Sequence, residues 1–105
     1  LPYGTSEYCA YFTSKGAVEA MTKYMAHEFA GRDIQINAIT LGFMNEGNRL
    51  QSGDGQNDDL SVLKEIPAGR WGTWQDLDGL LLVLCSAAGN YINGACIPLD
   101  GGYSI

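Results

Sequence analysis

Two runs of this 105-residue chain read as strands, the alternating, β-branched Ile34-Gln35-Ile36-Asn37-Ala38-Ile39 and the final Gly94-Ala95-Cys96-Ile97-Pro98-Leu99, and each follows a helical stretch. Helix, strand, helix, strand in that order predicts parallel strands joined by crossover helices, an arrangement in which helices cover both faces of the sheet. Two strands are too few for that, because neither the sheet nor the apolar stripes of the helices would be covered. With 46% hydrophobic residues the chain could bury a small core by composition alone. The shortfall is in the number of elements.

The first helix is expected to be capped by Thr5 or Ser6, to carry an apolar stripe of Val18, Met21, Met25 and Phe29, and to end at Gly31. Glu19, Lys23 and Glu28 fall off that stripe, and Met21 and Met25 are expected to pack in a core. Thr73-Trp74-Gln75-Asp76 has the form of a second helix start, followed by a stripe of Leu77, Leu80, Leu81 and Leu84. Between them, Gly47 to Asp59 is rich in Gly, Asn, Asp and Gln and predicts a long loop, with Asp54, Asp58 and Asp59 solvated. Pro98 suits a strand end or an edge strand, and Asp100-Gly101-Gly102 predicts a tight structural turn. In open α/β sheets the ligand crevice lies beyond the carboxyl ends of the strands, which directs attention to Thr40, Leu41, Gly42, Phe43 and Met44.

A formal net charge of −6 opposes binding to nucleic acid or to an anionic membrane, both of which need clustered Lys and Arg. Cys9, Cys85 and Cys96 are odd in number and widely spaced, so they are expected to be reduced packing residues in a cytoplasmic protein. His27 is the sole histidine and no metal site can be assembled around it. No apolar run is long enough to span a bilayer, and the start has no charged-then-apolar leader.

The chemistry concentrates in Tyr11-Phe12-Thr13-Ser14-Lys15-Gly16-Ala17-Val18. Residues i and i+4 share a helix face, so the Tyr11 phenol and the Lys15 ammonium can act on one bound molecule. A cation beside a phenol favours its phenolate and suits it to proton transfer, the part Lys15 would play. The run from Tyr11 through Gly42, the segment Ile66-Pro67-Ala68-Gly69-Arg70-Trp71-Gly72, and the ending Tyr91-Ile92-Asn93-Gly94-Ala95 to Asp100-Gly101-Gly102-Tyr103 together resemble the short-chain dehydrogenase/reductases, in that order and spacing.

The resemblance implies an α/β fold, the carboxy-terminal part of one Rossmann-type doubly wound parallel sheet with flanking helices, spanning residues 1–105, with the amino-terminal half of the domain absent. It further implies an oxidoreductase that interconverts an alcohol and a ketone with NAD or NADP. Tyr11 and Lys15 would be catalytic, Lys15 would also hold the nicotinamide ribose hydroxyls, and Gly42 and the Met44 backbone would lie against the nicotinamide. Ser14 would support the helix. The family's catalytic Ser falls upstream of Leu1, Ser6 stands too near Tyr11 to match it, and the phosphate-cradling Gly-rich turn, the helical Asn and the residue choosing between NAD and NADP have no counterpart here. Relatives have Pro-Gly and then Thr where this chain has Leu41-Gly42 and then Asn45-Glu46; Glu46 would place a negative charge near the cofactor.

The pattern is most similar to sugar-acid and polyol dehydrogenases of the gluconate and deoxygluconate type, with ketoacyl-acyl-carrier-protein-type reductases as the alternative. The partners implied are a small-molecule alcohol or ketone and, in the full-length form, further copies in a dimer or tetramer. Alone the 105 residues would be inactive, and a non-catalytic piece docking on longer relatives is a reading of a different class.

Overall fold

A computed structural model of the chain describes residues 8–45 and 56–105. In chain order it contains helix α1 (Cys9–Phe29), strand β1 (Ala38–Leu41), helix α2 (Gln56–Glu65), helix α3 (Asp78–Leu84) and strand β2 (Cys96–Leu99). Short 3-10 turns at Ala30–Arg32, Trp74–Leu77 and Ala87–Gly89 link them. β1 and β2 pair in a two-stranded sheet. Ala38 N–H donates to Ala95 O (2.8 Å) and Gly42 N–H to Leu99 O (3.0 Å), an equal advance along both strands that makes the pairing parallel, as the element order requires. In this register Pro98 turns its nitrogen to the edge of β2 away from β1, where no ladder donor is lost. The chain divides into two compact units, Leu1–Ala38 with Asn90–Cys96, and Ile39–Gly89 with Ile97–Ile105.

In the first unit α1 buries a face other than the expected one. Val18 and Met21 are 45% and 53% exposed, while the buried positions are Thr22 and Ala26. Small residues win because the segment after Asn90 comes in close: a Cβ on Gly94 would stand 3.3 Å from Ala26 Cβ, and Asn93 Nδ2 donates to Ala26 O (3.0 Å). Thr22 tolerates burial by donating its hydroxyl to Val18 O (2.8 Å). The larger apolar residues recur at helical spacing, but spacing alone cannot show which stripe the chain itself covers.

The expected caps also shift. Thr5 and Ser6 lie outside the described residues, and α1 begins after Tyr8 without a side-chain cap. It does not end at Gly31, which sits inside the 3-10 turn. The reversal falls on Asp33, in the left-handed region at φ 56°, whose N–H reaches back to Ala30 O (3.3 Å). Aspartate is one of the few side chains that tolerate this conformation.

Ile34 to Asn37 is not strand. Two asparagine side chains supply most of the cross-links there: Asn93 Oδ1 accepts from Ile36 N–H (2.9 Å), Asn37 Nδ2 donates to Ile92 O (2.9 Å), and Asn37 Oδ1 accepts from Ala95 N–H (2.9 Å). One backbone bond, from Gly94 N–H to Ile36 O (2.8 Å), accompanies them, and the regular ladder starts at Ala38. Replacing Asn37 by Ala removes one donor and one acceptor from partly buried backbone groups, and is expected to cost about 1–3 kcal/mol in a urea titration. A loss within error of zero would mean that water replaces both bonds.

In the second unit Ile66 is buried just after α2, and Phe43 sets its ring edge-to-face against Trp71 (5.5 Å, 77°) and Tyr103 (5.1 Å, 87°). Of the long loop expected from Gly47 to Asp59, residues 56–59 are instead the start of α2; Glu46 and residues 47–55 lie outside the described residues. The turn at Asp100 to Gly102 forms as expected. Gly101 and Gly102 take φ of 64° and 89°, which glycine adopts without strain, and Asp100 accepts from the N–H groups of Gly102 (3.0 Å) and Ser104 (3.1 Å). Thr73 and Asp76 form the reciprocal capping box that their spacing predicts, although the first turn is 3-10 and α3 follows from Asp78. Cys9 and Cys85 are exposed rather than packed; only Cys96 is partly buried.

Candidate active site

Helix α1 delivers Tyr11 and Lys15 to one face. Lys15 Nζ stands 5.3 Å from the centroid of the Tyr11 ring, close enough for the cation to interact with the π face, and Tyr11 is 48% exposed. Ser14 Oγ donates to Tyr11 O (2.7 Å), so this hydroxyl is engaged with the helix backbone, in keeping with a supporting part. The phenol and the ammonium thus meet solvent together on a 21-residue helix. A proton donor with an adjacent fixed cation can protonate a developing alkoxide and hold the resulting phenolate.

Gly42 and Met44, the other two expected site residues, belong to the second unit and lie together there. Gly42 ends β1 so close to the Asp100 turn that a Cβ would stand 2.6 Å from both Cα and Cβ of Asp100. Met44 forms an isolated parallel bridge with Gly72; Gly72 N–H donates to Phe43 O (2.9 Å) and Asn45 N–H to Gly72 O (2.7 Å). A cavity of about 240 Å³ opens beside them, lined in part by Phe43, Met44, Arg70, Asp76, Leu99 and Asp100.

The charged groups of this cavity are already engaged. Arg70 grips Asp76 with both terminal nitrogens (2.7 and 2.8 Å) and also donates to Trp71 O (3.1 Å). Asp76 accepts in addition from the N–H (2.8 Å) and hydroxyl (3.0 Å) of Thr73. The bond from Arg70, then the two from Thr73, hold the Asp76 carboxyl far below the usual carboxylate range, and Asp76 in turn raises Arg70. Asp100 is lowered too, chiefly by the Ser104 side chain, with backbone N–H groups of the turn adding to it. A Thr followed three residues later by Asp announced the cap, but its partner Arg70, six residues before Asp76, carried no local signal.

A depressed carboxyl stabilises the fold above the ordinary carboxylate pKa and loses that contribution as pH falls toward the depressed value. Asp76→Asn is therefore expected to lower stability at neutral pH and to flatten its fall below about pH 4. Urea midpoints taken from pH 7 downward check this; parallel curves for the two proteins would contradict it.

Among the described residues no group of His, Cys, Asp and Glu side chains could hold a metal ion, and no helix is long and apolar enough to cross a membrane. A family model described as Enoyl-(Acyl carrier protein) reductase matches residues 3–104. The chain belongs to the short-chain dehydrogenase/reductase family. It is 42% identical over 94 residues to a 2-dehydro-3-deoxy-D-gluconate 5-dehydrogenase of Bacillus subtilis, covering 90% of this chain and 37% of that protein. A gluconate 5-dehydrogenase of Gluconobacter oxydans is 35% identical over 96 residues, again covering 90% and 37%. Among solved structures, an Agrobacterium tumefaciens protein assigned as a 2-deoxy-d-gluconate 3-dehydrogenase, with bound NADP, superposes with a TM-score of 0.79 at 36% identity, over 90% of this chain and 38% of that one. The chain thus spans a little over a third of the length of the relatives it matches.

Proposed function

We propose that residues 1–105 form the carboxy-terminal part of one Rossmann-type short-chain dehydrogenase/reductase domain and carry its acid–base pair, in an enzyme that interconverts an alcohol and a ketone of a sugar acid or polyol with NAD or NADP. The observation that carries this reading is the placing of the Lys15 ammonium over the Tyr11 ring on one open helix face. Relatives named for gluconate, deoxygluconate and galactitol oxidation supply the substrate class.

Bound nicotinamide would supply hydride in reduction and accept it in oxidation. The chain's own residues move the proton. In reduction the Tyr11 O–H gives its proton to the carbonyl oxygen as that oxygen gains negative charge, and Lys15 offsets the charge left on the phenol oxygen; in oxidation the phenolate takes the proton back. The exposed ammonium and phenol are donors of the kind that ribose hydroxyls accept, so they fit the nicotinamide end of the cofactor. Gly42 and the Met44 backbone would border the same end. No Gly-rich phosphate turn occurs in the 105 residues, so the pyrophosphate must be held by other parts of the enzyme.

Among the described residues only Ala26 and Ile66 are buried hydrophobics, which supports the view that these 105 residues do not turn over substrate by themselves. A cytoplasmic homo-oligomer acting on small molecules completes the reading.

A second substrate class is acyl-carrier-protein-bound ketones; the description of the matching family model names an acyl carrier protein as well, with an enoyl group in place of the ketone. A chimera in which this chain replaces the matching segment of a sugar-acid dehydrogenase separates them. Turnover of 2-dehydro sugar acids without turnover of acyl thioesters is expected; the reverse would overturn the assignment of substrate.

A further inference from the structure

We propose that Phe12 is a positioning residue for the Tyr11 phenol, an inference that rests on the acid–base reading above. A long side chain on a helix has two allowed χ1 wells, and packing normally selects one. Tyr11 and Phe12 are 48% and 43% exposed, so the described residues of this chain offer no core that makes that choice. Adjacent residues on a helix point about 100° apart, and nothing in helix geometry brings their rings together. Here the rings meet nonetheless, edge to face, with centroids 5.7 Å apart at 81°. Phe12 is steadied from the other side by Tyr8, one turn earlier, at 6.4 Å and 59°. Lys15 Nζ stands over the Tyr11 ring at 5.3 Å. Among the described residues the Tyr11 ring is therefore braced by the Phe12 ring and the Lys15 ammonium. An aromatic pair of this geometry biases one rotamer by about threefold to tenfold. Phe12 acts on the proton donor's direction and touches no reacting atom.

The test is made by NMR and circular dichroism on the chimera, selectively labelled at tyrosine and lysine, with the wild-type segment, Phe12→Ala and Phe12→Leu. Three-bond couplings give the Tyr11 χ1 populations, and the ring-current displacement of the Lys15 ε-methylene protons reports whether the cation still lies over the ring. In wild type one χ1 well is expected to dominate with a displaced Lys15 signal. Both variants are expected to lose the displacement and to approach equal populations, with helix content unchanged. Wild type without the displacement, or variants that keep it, would overturn the proposal. So would loss of helix content in both variants, since Phe12 would then support the helix and not the ring. These readouts involve no turnover, so an inactive chimera would count against the oxidoreductase reading without deciding the part played by Phe12.

Discussion

Tyr11→Phe, introduced into the chimera, is expected to lower kcat by about 10²–10⁴, the range associated with a positioned general acid or base. The substitution removes one oxygen and keeps the ring. The edge-to-face contact with Phe12 and the place of the Lys15 ammonium over the π face both survive it, so stability should change by less than about 0.5 kcal/mol. What disappears is the proton that must reach the carbonyl oxygen as hydride arrives. Because that transfer belongs to the transition state, kcat and kcat/KM should fall together while KM for the sugar acid stays near its original value. Lys15→Met should act differently, raising KM for the nicotinamide as well, since the ammonium is read as both a charge partner and a ribose ligand. Steady-state kinetics with both substrates varied distinguishes the two. A Tyr11→Phe enzyme within a factor of about ten of wild type would remove Tyr11 from the chemistry.

The second large effect is on stability. Gly42→Ala places a methyl 2.6 Å from the Cα and Cβ of Asp100, a separation no real pair tolerates, and Cα belongs to backbone that cannot rotate away. Either the Asp100 turn or the end of β1 must move. The turn is held by N–H donors from Gly102 and Ser104, and β1 ends on the bond from Gly42 to Leu99, so relief strains one set or breaks the other. The expected cost is about 1–3 kcal/mol, read as a lower urea midpoint with unchanged slope. Unchanged stability would mean that the Asp100 turn does not press on β1 in solution. The family resemblance puts Gly42 at the cofactor; the close approach of Asp100 is a reason for glycine there that needs no ligand.

How far the sequence foretold this structure depended on whether the chain itself supplied the relevant contacts. The parallel pairing of β1 and β2, the capping box of Thr73 and Asp76, the Asp100 turn and the spacing of Tyr11 and Lys15 are local or follow from element order, and all were legible. The buried face of α1 was not, because Thr22 and Ala26 are chosen by the approach of Asn93 and Gly94 from far along the chain. The segment Ile34 to Asn37 alternates like a strand, yet it is tied to residues 92–95 largely by the side chains of Asn37 and Asn93, bonds that no periodicity reveals. The helix end moved from Gly31 to Asp33 because a 3-10 turn carried the chain past the glycine. The brace of Arg70 on Asp76 joins residues six apart across a turn, a spacing with no local signal in the sequence.

The most direct test of the proposed chemistry is the change in nicotinamide absorbance when the chimera carrying residues 1–105 is given a 2-dehydro sugar acid and reduced cofactor. Oxidation of the cofactor that depends on the sugar acid is the predicted result. A folded chimera that binds cofactor and leaves it reduced would contradict the assignment of the proton-transfer pair to this chain.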